Sequence, residues 1–335
     1  MAPKIAVVIP CFNVKDRVLD VLKRIGPEVS SIVVVDDCCP QASGRFVQEH
    51  CRDPRVHVCF NDVNLGVGGA TMAGYRYAMT IGADVCVKID GDGQMDPAIL
   101  PQIVAPIVNG AADYSKGNRF YFLTDVRGMP PTRIFGNAAL SFLSKLSSGY
   151  WNIFDPTNGY TAIHRIALER LALDRIERRY FFETDILFRL YLLGAVVQDV
   201  PMRANYGSEV SNLKIPNVFL PFLAKNVRNF LKRIFYRYFL RDFNLASLEL
   251  VFGTVSFWFG IVFGVSHWII GAAHDEVATA GTVMLAALPV LAGLQMTLGF
   301  FAFDYAAIPR VPLLRILEPV FSIVPAGANE NPAHR

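Results

Sequence analysis

The stretch KIDGDGQMDP, from Lys88 to Pro97, sets three carboxylates, Asp90, Asp92 and Asp96, among glycines directly after the apolar run ADVCV. Like charges this close repel one another unless something positive stands among them. A hard divalent cation answers that need. Mg2+ or Mn2+ takes one or two carboxylates and completes its shell with water and substrate phosphate oxygens. The spacing is not that of a calcium-binding EF-hand loop. The plain structural alternative is a turn of solvated acids, each bonding the nearby backbone. Position favours the cation: Asp90 and Asp92 close one strand-like run, while Asp36 and Asp37 close another, SIVVVDD.

The elements that must position these acids are legible as periodicity. KIAVVIP, SIVVVDD, RVHVCF and ADVCVKID are apolar, β-branched runs that read as buried strands. Residues 15–25 place apolar side chains at 18, 19, 21, 22 and 25, the stripe of an amphipathic helix. GVGGATMAGYRYAMTIG turns helical after its glycines. Alternating strands and helices predict a mostly parallel sheet covered on both faces, which binds ligands at the carboxyl ends of its strands. Residues 10–13, 36–37, 61–66 and 90–96 all follow strands, so one crevice is expected to collect them. Gly66, Gly68 and Gly69 in NLGVGGA imitate a dinucleotide fingerprint with Asp90 downstream. That fingerprint belongs after a first strand, and this one follows the third.

The 335 residues suffice for about two domains. With 32 Lys+Arg against 29 Asp+Glu, the net charge of +3 lacks the basic bias of a nucleic-acid binder. The hydrophobic share, 53%, is concentrated late in the chain. Residues 250–273 and 277–303 contain no Asp, Glu, Lys or Arg. Each run exceeds the ~20 residues a membrane-spanning helix needs. His274, Asp275 and Glu276 separate them, while Lys232, Arg233, Arg237 and Arg241 precede them and Arg310 and Arg315 follow. Positive flanks mark the cytoplasmic side. The expectation is a two-helix hairpin in the inner membrane, a multi-pass anchor with the catalytic domain in the cytoplasm. A buried pair of core helices is the alternative, though core helices usually keep a polar face. Residues 214–248 mix aromatics with Lys and Arg at helical spacing and read as helix in the membrane interface. The expected organisation is a catalytic domain over 1–213, juxtamembrane helices over 214–248, two transmembrane helices over 249–304 and a cytoplasmic tail over 305–335, its end disordered. The N-terminus lacks the marks of a signal peptide. The six cysteines all fall in the first domain and are expected as thiols. The histidines show no metal-ligand spacing.

The pieces VVIPCFN, VVVDD, NLGVGGA, IDGDGQMDP, GNRF, FGNAAL, DPTNGY, FFETDILFRL and VPMRANYGSEVS follow one another over residues 5–211. In that order they resemble the inverting glycosyltransferases of family 2, which have the GT-A fold. More narrowly, they are similar to the polyprenyl-phosphate sugar transferases. The resemblance implies an α/β, Rossmann-like GT-A catalytic domain followed by interfacial helices and a transmembrane hairpin. It implies that Pro10, Asn13, Asp37 (with Asp36 as the alternative), Gly66 and Asp90 meet the nucleotide and its diphosphate. Asp90 and Asp92, with Gln94 as third ligand, would hold Mg2+ or Mn2+. Asp96 reads instead as a helix N-cap ahead of Pro97. The family often has Glu after the asparagine, where this chain has Val14. Arg119 and Arg133 would hold the acceptor phosphate, and Asp155 would act as base or orienting group, with Glu183 and Asp185 as the runner-up acids. For each arginine a surface ion pair is the alternative, and for Asp155 a turn before Pro156.

The implied reaction is metal-dependent, inverting transfer of a sugar from a nucleotide-diphosphate sugar to polyprenyl phosphate, undecaprenyl or dolichyl, at the membrane face. A membrane-anchored family 2 transferase that extends a glycan or lipid-linked saccharide is the alternative, and a non-catalytic scaffold sits poorly with an intact acid cluster. The expected partners are the sugar nucleotide, the polyprenyl phosphate and the lipid bilayer, with a second copy of the chain as a candidate. Two spans are too few to form a glycan channel.

Overall fold

The computed structural model describes residues 2–122, 131–203 and 215–317, with only the backbone described for 131–133 and 215–219. Seven strands form one sheet: β1 Ile5–Cys11, β2 Ser31–Asp36, β3 Val56–Phe60, β4 Val85–Lys88, β5 Tyr114–Asn118, β6 Thr161–His164 and β7 Val197–Pro201, in the order β3-β2-β1-β4-β6-β5-β7. β6 runs antiparallel to both of its neighbours, and the other pairings are parallel. The four strands expected from the sequence are β1 to β4. Their alternate residues serve opposite faces: Ala6, Val8, Val33 and Val35 join one buried cluster, and Val7, Ile9, Ile32 and Val34 the other. Both faces are covered, which is why these strands are apolar throughout.

β1 runs through Pro10 instead of stopping there. Val8 gives its carbonyl to Ile89 N on the β4 side, and Cys11 gives its carbonyl to Asp37 N on the β2 side. Alternation therefore turns position 10 toward β4, whose pairing with β1 ends at Lys88↔Val8. The missing proline N–H falls where no partner strand remains, and the ladder loses nothing.

Helices α1 Lys15–Lys23 and α4 Leu100–Val108 cover one face. On the other lie α3 Gly66–Thr80, α6 Arg165–Arg170 and α7 Phe182–Leu193. The domain also holds α2 Ser43–His50 and α5 Pro131–Ser148. α8 Ile215–Ile234 continues into a π-helical segment, Phe235–Arg241. It packs its polar side on the catalytic domain: Asn226 meets Ser147 at 2.7 Å, Asn229 meets Asp185 at 3.0 Å, and Lys225 pairs with Glu177 at 2.9 Å. Leu220, Val227, Leu231 and Phe235, at helical spacing, are exposed on the opposite side.

The hairpin is α9 Leu245–His274 and α10 Ala280–Ala306. α9 starts before the boundary at 249 because Asn244 caps it reciprocally with Ser247. Only 11% of each apolar window is buried, unlike the core helices of a soluble protein. The two helices touch through small residues. A Cβ on Gly260 would lie 2.6 Å from Ala286 O, and one on Gly293 would lie 2.6 Å from Gly253 O. Such contacts let helices associate where hydrophobic driving force is lacking.

Two buried aspartates fasten this hairpin to the catalytic domain. Asp304, near the end of α10, accepts from Arg233 at 2.5 and 3.0 Å, from Tyr238 at 2.6 Å and from Trp151 Nε1 at 2.9 Å. Asp113, before β5, accepts from Val196 N and from Leu313 N and Leu314 N at the start of α11, Leu313–Leu317. The segment after the hairpin is thus docked on the domain at Leu313 and Leu314, where a tail was expected. Residues 318–335, and the disorder expected of them, lie outside the described residues.

Candidate active site

The acids that open the argument meet a lysine of the chain itself. Lys88, at the end of β4, is 1% exposed, and its ammonium lies 2.7 Å from Asp90 Oδ1 and 4.0 Å from Glu183 Oε1. The Phe182 ring sits 5.3 Å beneath it. Gly159 packs close to this pair: a Cβ there would come within 3.1 Å of Asp90 Oδ2 and would displace Lys88 Nζ. Burial works to lower the lysine pKa, but the Asp90 and Glu183 carboxylates outweigh it and raise the pKa. Burial pushes the Glu183 carboxyl up to about 7, against the pull of Lys88 and Lys116. The sequence marked the acids and missed this cation, although Lys88 stands inside the quoted stretch.

The expected acceptor arginine and the expected base bind each other. Asp155 is fully buried, and Arg119 holds it with Nε at 2.8 Å, Nη2 at 3.0 Å and its backbone N at 3.2 Å. This fork fixes the guanidinium plane at the end of β5. Both neighbours of Asp155 are clamped as well. Lys116 Nζ donates to the Pro156 carbonyl at 2.6 Å, and Asp199 Oδ2 accepts from Phe154 N at 2.8 Å and Asn118 Nδ2 at 3.1 Å. Lys116 and Asp199 are register partners on β5 and β7. Burial draws the Lys116 ammonium down to about 8 and pushes the Asp199 carboxyl up to about 6. Neither residue was singled out from the sequence, because nothing local in SKGN or VQDVP ties them to residue 155.

Other expected residues do come to the same edge with different partners. Asp37 spends its carboxylate on the glycine loop, accepting from Asn61 Nδ2 at 2.8 Å, Leu65 N at 2.8 Å and Gly66 N at 2.7 Å. Asp36 accepts from Cys39 N and Gly44 N. Both organise loops at this edge. Gly66 has φ +77°, and a Cβ there would lie 2.8 Å from Arg178 O. These glycines admit the 177–182 segment. Asn13, at φ 58°, donates its N–H to Cys39 Sγ at 3.1 Å. Pro10 stands at the open end of β1. Asp185 faces inward, accepting from Arg189 Nε, Asn229 Nδ2 and Glu177 N, so of the FFETDILF acids Glu183 is the one beside Lys88. Asp96 caps the turn starting at Pro97 and pairs with Arg24 at 2.5 Å. The Arg133 side chain lies outside the described residues.

Asp92 accepts from Gln94 N at 3.0 Å, and its carbonyl takes Arg17 Nη1 at 3.3 Å. Among the described residues no three His, Cys, Asp or Glu side chains enclose a metal position. A full protein cage is therefore absent there. The donor set present, Asp90 and Asp92 with the amide of Gln94 on a partly exposed loop, still suits Mg2+ or Mn2+. These ions bind through one or two carboxylates and leave the remaining positions to water and phosphate.

The sheet order, with helices on both faces, and the two long apolar helices that follow define an α/β domain with a hairpin behind it. A structure of glucosyl-3-phosphoglycerate synthase from Mycobacterium tuberculosis, in complex with Mn2+, uridine diphosphate and phosphoglyceric acid, matches with a TM-score of 0.50. It does so at 19% identity over 69% of this chain and 78% of that one, a likeness of fold alone. The profile of Glycosyl transferase family 2 matches residues 6–172. An undecaprenyl-phosphate mannosyltransferase of Micrococcus luteus is 32% identical over 59% of this chain and 82% of its own length. The UDP-N-acetylglucosamine–dolichyl-phosphate N-acetylglucosaminyltransferase of Methanococcus voltae is 28% identical over 71% of this chain and 96% of its own. The chain belongs to glycosyl transferase family 2 and is a glycosyltransferase. Within that family it resembles the polyprenyl-phosphate sugar transferases.

Proposed function

We propose that the protein transfers a sugar from a nucleotide-diphosphate sugar to a polyprenyl phosphate at the cytoplasmic face of a membrane, with inversion at the sugar carbon. The observation that carries this reading is the hairpin pinned to the catalytic domain through Asp304 and Asp113. It suits an acceptor that lives in the bilayer, as the acceptors named for the relatives do. An acceptor phosphate oxygen attacks sugar C1 from one face as the C1–O bond to the diphosphate breaks on the other. The diphosphate leaves with the bonding electrons. A phosphate monoester has its second pKa near ~6 and is mostly dianionic at neutral pH, so no strong base is required. Asp155 then serves to hold Arg119 toward the dianion, and charge-assisted contacts of this kind are strong near a low-dielectric surface. Asp90 and Asp92, with Gln94, would hold Mg2+ or Mn2+, which supplies Lewis-acid stabilisation of the departing diphosphate. The Lys88 ammonium balances Asp90.

The test is incubation of the purified chain with a panel of sugar nucleotides and undecaprenyl or dolichyl phosphate, followed by mass analysis of the lipid. The expected product is the lipid phosphate heavier by one sugar. Sugar found only on a saccharide acceptor would reject the reading in favour of glycan extension. Chelation and Asp92→Ala are each expected to abolish transfer, and full activity after either rejects the metal.

A further inference from the structure

Three arginines from two separate parts of the chain gather around one cavity at the foot of the hairpin. Arg237 and Arg241 belong to the π-helical segment before α9, and Arg310 follows α10. With Tyr191, Pro309 and Ile316 they line a cavity of about 290 Å³. Arg241 Nη1 donates to the Leu192 carbonyl at 2.6 Å, capping the end of α7, which accounts for one of the three. Among the described residues no carboxylate lies within ion-pair distance of Arg237, Arg241 or Arg310. Like charges around a shared cavity repel, and an anion between them would offset that repulsion.

The location selects the anion. Arg241 stands about one turn before Leu245, where α9 begins, and Arg310 follows shortly after Ala306, where α10 ends. Ends of membrane-spanning helices lie level with lipid headgroups. Basic pockets beside such helices on the positively flanked side suit anionic headgroups. Guanidinium groups match phosphate oxygens in pairs. The cavity is separate from the candidate active site: Glu183 opens α7 and Tyr191 lies near its other end, roughly 12 Å away at ~1.5 Å per residue.

We propose that this cavity binds the phosphate of an anionic phospholipid headgroup, in the leaflet that faces the catalytic domain. The proposal rests on the hairpin spanning a membrane and is independent of which sugar is transferred. The experiment uses the full chain purified in detergent micelles, titrated with phosphatidylglycerol or phosphatidylcholine and weighed intact by native mass spectrometry. One phosphatidylglycerol is expected to be retained about tenfold or more tightly than phosphatidylcholine. Arg237→Gln with Arg310→Gln should bring the two lipids to within about twofold. Arg52→Gln, which removes a charge beside the edge strand β3, should leave the preference intact. Arg237→Lys with Arg310→Lys keeps the charge and should retain part of the preference, which guards against a glutamine variant that fails to fold. Equal binding of the two lipids, or an unchanged preference in the folded glutamine variant, overturns the proposal. Displacement by millimolar inorganic phosphate also overturns it, since the site would then serve a free anion. Displacement by equimolar undecaprenyl phosphate would assign the cavity to the acceptor and overturn it too.

Discussion

The Glu183 carboxyl, beside Lys88, changes charge near neutral pH, because burial carries it up to about 7. Below that pH it is neutral, and Lys88 belongs to Asp90 alone, 2.7 Å away. Above it the ionised Glu183, 4.0 Å from the same ammonium, competes for Lys88 and leaves Asp90 freer to meet another cation. Transfer should therefore rise with pH through about 7, and Glu183→Gln should flatten that limb. The limb near ~6 that belongs to the acceptor phosphate should remain in the variant. Initial rates between mildly acidic and mildly basic pH, at saturating donor, decide the matter; an unchanged profile in the variant would refute the assignment. Asp199 makes a matching statement about stability. Its pKa is raised from 3.8 to about 6 by burial. The folded state thus binds the extra proton, and this stabilising contribution is present below 3.8 and lost as pH rises through about 6. Asp199→Asn should remove that part of the slope in thermal unfolding measured across this window, and an unaltered slope would mean that Asp199 titrates normally.

At the level of elements, the sequence yields whatever is written locally. Continuous apolar, β-branched runs exposed β1 to β4, charge-free runs exposed α9 and α10, and Asp96 before Pro97 was legible as a cap since both signals lie side by side. Pairings made by the sheet order were not legible. Arg119 and Asp155 stand 36 positions apart, and Lys116 meets Asp199 only because β5 and β7 are neighbours in register. The glycine run is ambiguous for a different reason. A phosphate-cradling loop and a loop that admits another backbone use the same residue type, and only the structure distinguishes them. Gly68 is the clearest instance, since a Cβ would lie 2.5 Å from Glu177 O and 2.6 Å from Phe182 Cβ. Gly68→Ala should destabilise the domain by about 1–3 kcal/mol through overpacking. The expected result is a lower midpoint of thermal unfolding with nucleotide affinity little changed once the protein is folded. Lost affinity without lost stability would mean that Gly68 serves a ligand and not the packing.

For the molecule as a whole, the hairpin makes two predictions. A cysteine replacing Asp275, in a background without other cysteines, should react from outside the cell with a membrane-impermeant maleimide, because the basic flanks lie on the other side. Labelling only after lysis would mean that the turn does not cross. Asp304→Ala should cost about 3–5 kcal/mol, since it leaves the fully buried Arg233 without its counter-charge. Replacing both residues by apolar ones should recover most of that loss in detergent-solubilised thermal melts, and equal loss in single and double variants would show that the pair does not couple. The docked segment at Leu313 carries a different consequence. A domain on one linker can wander over a hemisphere above its anchor, whereas one fastened both before and after its anchor can only rock about a line. Its crevice then stays at a nearly constant height over the bilayer. For the polyprenyl phosphate acceptor we propose, encounters become a search in two dimensions, with a rate set by how fast lipids drift past a stationary mouth.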